Sequence, residues 1–451
     1  MVEGVIKMYE TKEVRKQIVI LMLPLVLESF LQLFTNMVAT AMVGHLSEID
    51  ISAQGIGSKV VDLVFCMIRG FGTAMVISSA KRFAQGKIAE CKNLYLFGIC
   101  SLLVITCTCG IVMFMVPDFF VSMFTEDKEL IIWSKEYLKL LVFCLPFWGI
   151  MVVTSSVFQG NGNTKTPVVI AIIVNIINLF LCYTLIYGHL GLPQMGYKGA
   201  ALSLVISRAI GCIIGLFMIF SKKYGLFYEK GGLVEKKNFS LEVLSVALPN
   251  FGEYVMWQIA TIILSRLILS YGQAPFAAYQ LGVQAEYLTE IPAIGFTVAA
   301  TYLISKAIAI KDKELFEISK KELIRICTLI SIVTSLLLLL LPGQFMSLFT
   351  DKENLITIGT KYILLMGLIQ IPQNQIKIYG GILRSANYKN WPFLVQLIGT
   401  WGVRVPLAFL SASIIKAPLE CIWVCIALDQ VVKFLLLRYI TIKKNISNLL
   451  T

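Results

Sequence analysis

Long apolar segments recur along almost the whole chain, and they limit the possible folds more than any other feature. A helix needs about 20 apolar residues to cross the hydrocarbon core of a bilayer, which is roughly 30 Å thick. Runs such as Ile330–Leu341 do not alternate between apolar and polar residues, as the strands of a closed barrel would. With 57% hydrophobic and 15% charged residues, a soluble domain could not bury the apolar surface. We therefore predict an all-α polytopic membrane protein with twelve transmembrane helices.

Basic residues lie mainly in alternate connections between these segments. Four of them fall between positions 81 and 92, whereas none falls between 271 and 275. The positive-inside rule then predicts a multi-pass protein of the inner (cytoplasmic) membrane with both termini in the cytoplasm. The net charge of +12 thus reflects topology, and we expect no nucleic-acid partner. The eleven cysteines contain no C-x-x-C pair, so we expect no metal and no cofactor.

An internal repeat is visible when the chain is aligned with itself so that Pro24 matches Pro249. In this alignment, which we call the repeat register, Glu28 also matches Glu253, Gly70-Phe71 matches Gly295-Phe296, and Pro117 matches Pro342, without gaps. Each copy holds six predicted spans, so both copies enter the membrane with the same orientation. We predict two six-helix lobes, 1–220 and 243–451, related by a pseudo-twofold axis along the membrane normal and joined by a cytoplasmic linker, 221–242. Two such lobes could rock around a central site, which favours transport over a receptor or a structural role.

Several short motifs occur in an order that resembles the MATE family of multidrug and toxin extrusion transporters, in its bacterial branch. They are Leu23-Pro24, Asn36 with Val43-Gly44, Gly70-Phe71-Gly72, Phe158–Thr164, Asn175 with Asn178, Gly196–Ala201, Ala277–Gln280, Arg384 and Arg404–Leu407. The resemblance covers essentially the whole chain. It implies secondary active efflux of organic, often cationic compounds, driven by inward movement of protons or sodium.

The sequence departs from this family at two acidic positions. Ala39 stands where the family has an aspartate in the first span, and Cys182 stands where a second acid is frequent. Neutral oxygens and amides remain as candidates for binding a cation or a substrate, namely Asn36, Gln32, Asn175, Asn178 and Ser203. Neutral ligands hold Na⁺ less well than a carboxylate and carry no proton at physiological pH. Coupling must therefore use other residues, or be lost.

Two acids occupy equivalent positions in the repeat. Glu28 and Glu253 each lie four residues past a proline, Pro24 or Pro249, where a helix lacks one backbone hydrogen bond and can act as a hinge. The acids are candidates for ion coupling or substrate binding. Alternatively, they brace the kinks.

Glu286 and Glu290 lie one turn apart near the middle of the eighth predicted span. Two neighbouring carboxylates in a medium of low dielectric repel each other, so the pair could bind and release a proton near neutral pH. This pair is our first candidate for proton coupling. The alternative is that Arg266 or Lys377 neutralises one of the two acids.

Other charged residues also fall within predicted spans, where a charge costs roughly 2.5 to 3.5 kcal/mol. Asp62 is a further coupling candidate, although a structural ion pair involving Arg69 is the favoured interpretation. Lys377 and Arg404 could receive an anionic group or pair with Glu253 or Glu286.

These features together predict a proton-coupled antiporter that exports small amphipathic, cationic organic compounds. The alternatives are sodium coupling, a flippase for a lipid-linked or anionic substrate, and a non-transporting membrane receptor. No H-E-x-x-H or G-x-S-x-G motif supports an enzyme. We expect H⁺ or Na⁺ as the coupling ion, membrane lipids as neighbours, and a monomer.

Overall fold

The computed structural model describes residues 11–44, 48–125, 127–191, 193–221, 239–444 and 446. Within this described part the regular secondary structure is entirely helical, which confirms the predicted fold class. Residues 222–238 of the predicted linker lie outside it.

Seventeen α-helices and two π-helical segments follow one another along the described chain. The first half contains α1 (Thr11–Gly44), α2 (Glu48–Ala84), α3 (Ile88–Met115), α4 (Pro117–Ser122), α5 (Lys128–Leu141), α6 (Cys144–Gly160), α7 (Lys165–Tyr187) and α8 (Tyr197–Phe220). The second half contains α9 (Phe239–Leu269), α10 (Gln273–Ala309), α11 (Lys313–Leu340), α12 (Pro342–Ser347), α13 (Glu353–Leu368), α14 (Gln370–Ser385), α15 (Asn390–Leu397), α16 (Val405–Phe409) and α17 (Glu420–Lys443), with π-helical segments at Ile398–Arg404 and Leu410–Ile414.

Twelve membrane spans can be assigned to the described helices. Nine are long and apolar enough by themselves, and two more are the bent pairs α5–α6 and α13–α14. The twelfth is α17, whose 24 residues make a helix about 36 Å long. It is less apolar than the others because it carries Asp429 and Lys433, and both side chains are buried.

The sequence repeat reappears in the positions of the helix ends. Helix α2 covers Glu48–Ala84 and α10 covers Gln273–Ala309, and in the repeat register Glu48 matches Gln273 and Ala84 matches Ala309. The same register matches both ends of α3 to those of α11, and both ends of α4 to those of α12. The two halves therefore share one helical plan.

The fourth and tenth spans are bent, although the sequence predicted each as a single helix. The bends measure 46° between α5 and α6 and 52° between α13 and α14. Pro146 and Pro372 lie just inside the second helix of each pair. A proline lacks the N–H and displaces the carbonyl four residues earlier, which in these spans falls at Val142 and Leu368, where the helices break.

Two compact units make up the described chain, and neither coincides with one half of the sequence. The N unit is Leu27–Phe251, and the C unit comprises the described residues of Met1–Val26 and Gly252–Thr451. The chain passes from one unit to the other within α1 and again within α9. Each boundary lies within three residues of a proline, Pro24 or Pro249, and each helix continues through its proline. The predicted lobe boundaries, which follow the sequence repeat, stay a prediction.

The start of α1 belongs to the C unit and the start of α9 belongs to the N unit, so each half of the sequence gives one segment to the other half's unit. Equivalent glycines allow these exchanged segments to pack closely in each unit. In the N unit, a methyl group on Gly70 would lie 2.9 Å from the carbonyl oxygen of Ala247 in α9. In the C unit, a methyl group on Gly295 would lie 3.1 Å from the carbonyl oxygen of Met22 in α1. Only glycine allows these backbones to approach so closely.

Candidate functional site

A polar cluster in the C unit joins α10 to α14. The amide nitrogen of Gln373 donates to Glu286 Oε1 at 2.8 Å and to Glu290 Oε1 at 2.5 Å. Lys377, one turn after Gln373, places Nζ 3.3 Å from Glu290 Oε1. Glu286 is buried, whereas Glu290 and Lys377 are half-buried. The two acids predicted as a pair therefore share one neutral donor and have one cation at their side.

Tyr362 of α13 joins this polar cluster to a group of aromatic rings. Its hydroxyl donates to Glu286 Oε2 at 2.5 Å. The ring packs edge-on against Tyr279 and Trp423, with centroid distances of 5.5 Å and 5.8 Å. Gly282 leaves room for this ring, because a methyl group there would lie 2.7 Å from Tyr362 Cδ1. The Glu286 carboxylate is thus fixed on both of its oxygens.

A second charged cluster in the C unit centres on Asp429 of α17. Its carboxylate lies 2.6 Å from the guanidinium of Arg404 and 2.9 Å from the ammonium of Lys433. The ammonium also donates to Thr400 Oγ1 at 2.8 Å. Arg404 and Thr400 lie in the π-helical segment Ile398–Arg404, close to Pro406, where regular α-helical hydrogen bonding is interrupted. This segment packs against α17.

A third ion pair holds the acid that follows Pro249 in α9. Glu253 Oε2 lies 2.5 Å from a terminal nitrogen of Arg384 in α14. The other carboxylate oxygen, Glu253 Oε1, is buried without a hydrogen-bond partner among the described residues.

The ion pairs of the C unit therefore differ in part from those that the sequence predicted. Lys377 neutralises Glu290, which was the alternative to a free pair of acids. Arg404 does not pair with Glu253 or Glu286, because Asp429 lies nearer on the facing helix. Glu253 is instead paired with Arg384. The sequence prediction missed the roles of Gln373, Tyr362, Asp429 and Lys433, of which Asp429 and Lys433 were visible as charges in an apolar segment.

In the N unit, two of the predicted neutral groups, Asn178 and Ser203, both contact Cys182, the residue that replaces a frequent family acid. Cys182 Sγ contacts Asn178 Oδ1 at 3.2 Å and Ser203 Oγ at 2.9 Å. These three side chains are buried. Asn175 and Gln32 are half-buried and Asn36 is exposed, and no hydrogen bond joins them to this group in the described part. Ala39 packs at the edge of the N-unit core.

Two arginine side chains of the N unit lie over a pair of stacked aromatic rings. Phe65 and Trp148 stack with their centroids 4.1 Å apart. The guanidinium of Arg69 lies over the Phe65 ring at 4.4 Å, and that of Arg208 lies over Trp148 at 4.8 Å. Asp62, predicted to form an ion pair with Arg69, is near enough for electrostatic attraction to it.

The repeat relates these rings to the acidic cluster of the C unit. In the repeat register, Phe65 corresponds to Glu290 and Trp148 corresponds to Gln373. Both pairs are in contact. One unit thus carries an aromatic contact where the other carries a carboxylate contact.

No group of three or more His, Cys, Asp or Glu residues suited to a metal ion occurs in the described part. The candidate site is a set of charged, amide and aromatic side chains on spanning helices.

Comparison with protein families gives one match in each half of the chain. The family model described as MatE matches residues 24–184 and 246–410. "Probable multidrug resistance protein NorM" of Thermotoga maritima is 26% identical over 423 residues, which cover 93% of this chain and 90% of that protein. "Probable multidrug resistance protein YoeA" of Bacillus subtilis is 22% identical over 447 residues, covering 95% and 94%.

Solved structures share the fold at low sequence identity. One is described as the outward-facing conformation of a multidrug resistance MATE family transporter of the MOP superfamily. It superposes with a TM-score of 0.88 and 17% identity over 99% of both chains. A MOP superfamily transporter from Pyrococcus furiosus, described as having a binding pocket of reverse polarity, superposes with a TM-score of 0.89 and 17% identity over 99% of both chains.

Proposed function

Because the chain belongs to the MATE family of multidrug efflux transporters, we propose that it is a secondary active antiporter, which exports amphipathic, cationic organic compounds by alternating access in exchange for protons. Members of this family are transporters and not enzymes, and their substrates are small organic molecules. As further parts of the proposal, the protein acts as a monomer among membrane lipids, and both termini are cytoplasmic.

The observation that carries proton coupling is the shared donor between two acids. Gln373 binds Glu286 and Glu290 through one amide nitrogen, so the two carboxylates are held close together. Lys377 balances one negative charge, and Gln373 is neutral. With both acids ionised the cluster has one excess negative charge inside the membrane, where such a charge is costly. One proton balances it, so the cluster supports the binding and release of a single proton in each transport cycle.

Proline positions support a pathway by which this proton could alter the protein's conformation. Helices α1 and α9 pass from one compact unit to the other just after Pro24 and Pro249. Glu28 and Glu253 follow each proline by one turn, and Glu253 is tied to Arg384 on α14. Helix α14 also carries Gln373. We propose that the two prolines are the hinges and that α14 links the proton cluster to the hinge at Pro249 in α9.

The test is transport by the purified protein in proteoliposomes with an acidic interior. Uptake of a fluorescent organic cation should be fast for the wild type and should stop when a protonophore removes the pH gradient. The Glu286→Gln, Glu290→Gln double variant should reduce uptake to that of empty liposomes, because both proton acceptors are gone. Glu420→Gln is the matched control, since Glu420 pairs with Lys361 at a partly exposed helix end. It should transport like the wild type.

Two results would contradict the proposal. Full pH-driven uptake by the double variant would remove the coupling site. Uptake that persists with a protonophore but ends when the sodium gradient is removed would favour sodium coupling instead, and the oxygens of Asn178 and Ser203 would then be the residues to test. Failure of every compound tested, under either gradient, would contradict transport itself.

A further inference from the structure

Two adjacent lysines stand at the end of the last spanning helix without an acid beside them. Lys443 is the last residue of α17, and Lys444 caps it. Both are exposed, and neither forms an ion pair with an acid in the described part of the chain. No acid follows Asp429 in the sequence. The C-terminal end of a helix carries only about half a negative charge, so two full positive charges exceed what α17 itself balances.

Aromatic rings hold both ammonium groups in place. Lys443 Nζ lies 5.6 Å from the centre of the Tyr439 ring, one turn earlier on α17. Lys444 Nζ lies 5.4 Å from the ring centre of Tyr388 and 5.6 Å from that of Trp391, at the start of α15. An ammonium group that faces a ring keeps N–H donors for an anion. We call these two lysines and three rings the basic–aromatic surface. Its composition is typical of the level of the lipid headgroups, where tyrosine and tryptophan are enriched.

An apolar stripe on α17 leads from the membrane interior to this surface. Leu435, Tyr439 and Ile442 are 54%, 59% and 64% exposed. Helical spacing places all three on one face of α17. Because α17 is a membrane span, this face contacts acyl chains. A free phosphate ion would leave the stripe unused, whereas a phospholipid contacts the lysines with its headgroup and the stripe with an acyl chain.

The N unit lacks the basic–aromatic surface, although the two halves share one helical plan. In the repeat register, the five equivalent positions hold Asn163, Thr166, Ile214, Met218 and Ile219. None of these residues is basic or aromatic. The shared fold therefore does not require the lysines and rings, and they are a particular feature of the C unit.

We propose that the C unit binds the headgroup of an anionic glycerophospholipid at the basic–aromatic surface, where Lys443 and Lys444 contact its phosphate. A net negative lipid is required, because a zwitterionic lipid brings its own ammonium group, which the two lysines repel. With the proposed orientation of the chain, the lipid belongs to the cytoplasmic leaflet, where anionic lipids attract basic residues. This inference narrows the proposed membrane-lipid neighbours to one chemical class, and it does not depend on transport.

The experiment measures lipid binding to the full-length protein by native mass spectrometry, which identifies each bound lipid by its mass. The delipidated protein in detergent is titrated with phosphatidylglycerol, which is anionic, or with phosphatidylcholine of the same acyl chains, which is zwitterionic. The dissociation constant of the first bound lipid is compared. The wild type should bind phosphatidylglycerol about 25-fold more tightly, because each lysine near an anionic headgroup contributes about fivefold.

Variants then assign this preference to the two lysines. The Lys443→Gln, Lys444→Gln double variant should bind phosphatidylglycerol about 25-fold more weakly and phosphatidylcholine as the wild type does. The Lys320→Gln, Lys321→Gln double variant is the matched control. It removes two adjacent lysines from α11, where Lys320 pairs with Glu317 at 3.6 Å, and it should keep the preference.

A charge-conserving variant separates loss of charge from loss of structure. Lys443→Arg, Lys444→Arg keeps both positive charges, so it should keep the preference for phosphatidylglycerol. Loss of the preference in this variant would overturn the proposal.

Three other results would also overturn it. The first is equal affinity of the wild type for the two lipids, and the second is an equal loss of affinity in the two glutamine double variants. The third is displacement of bound phosphatidylglycerol by an excess of soluble glycerol phosphate, which would identify a site for free phosphate esters. These measurements need no substrate and no pH gradient, so a failure of the lipid site and a failure of proton-driven transport are seen separately.

Discussion

Replacing either member of the Glu253–Arg384 ion pair should destabilise the protein, and replacing both should restore much of the loss. The two charged groups are 2.5 Å apart, and their side chains are only 16% and 13% exposed. Loss of one partner costs about 3–5 kcal/mol when a pair is fully buried and at most about 1 kcal/mol at a surface. The slight exposure places this pair between these limits, at about 2–3 kcal/mol for Glu253→Gln or Arg384→Gln alone.

The double variant should lose less than about 1 kcal/mol, because two glutamines leave no buried charge and can bond to each other. The free energy of unfolding is measured by titration with SDS in mixed micelles, followed by far-UV circular dichroism. A single variant should shift the unfolding equilibrium roughly 30- to 150-fold.

The corresponding single and double variants of Lys361 and Glu420, each changed to glutamine, are the control for this measurement. Their side chains are 55% and 40% exposed, so each single variant should change the free energy of unfolding by less than about 1 kcal/mol. Our reasoning is refuted if the losses of Glu253→Gln and Arg384→Gln simply add in the double variant, or if each is no larger than in the control pair.

Two further changes can be measured by the same titration. Asp429→Asn should cost about 3–5 kcal/mol, because Asp429 is 0% exposed and its loss leaves the cations of Arg404 and Lys433 uncompensated; a loss below about 1 kcal/mol would contradict the buried network. Gly295→Val should cost about 1–3 kcal/mol, because its side chain would press on the Met22 backbone, already 3.1 Å from a methyl group at that position. Gly343→Val, where a methyl group meets nothing within 4 Å, is its control, and equal losses would refute the close contact.

Much of the fold follows from local features that act over a few residues. Apolar length gave eleven of the twelve spans, and α17 was still recognised because its charges are few enough to leave a long apolar segment. The repeat register predicted the shared helical plan, since helix ends depend on nearby sequence. The bends in the fourth and tenth spans were not predicted, although Pro146 and Pro372 are visible in the sequence. A proline in a membrane helix does not always end it, since α1 continues through Pro24.

The candidate site was predictable only in its intrahelical part. Glu286 and Glu290 were expected on one face of α10 because helical spacing places them there. Their link through Gln373 joins residues 83 and 87 positions apart in the sequence, and spacing within one helix carries no information on such contacts. Asp429 was overlooked for the same reason, since its importance depends on Arg404, which reaches it from another span.

The exchange of segments at Pro24 and Pro249 has a consequence for how such a chain could arise. A single six-helix ancestor could not form a complete compact unit by itself, because the start of its first helix would pack in the unit of a second copy. Two identical copies would have to associate by trading that segment before gene fusion joined them. By the same logic, a chain cut between α8 and α9 should yield two fragments that are each unstable alone, and that regain structure only when they are made together.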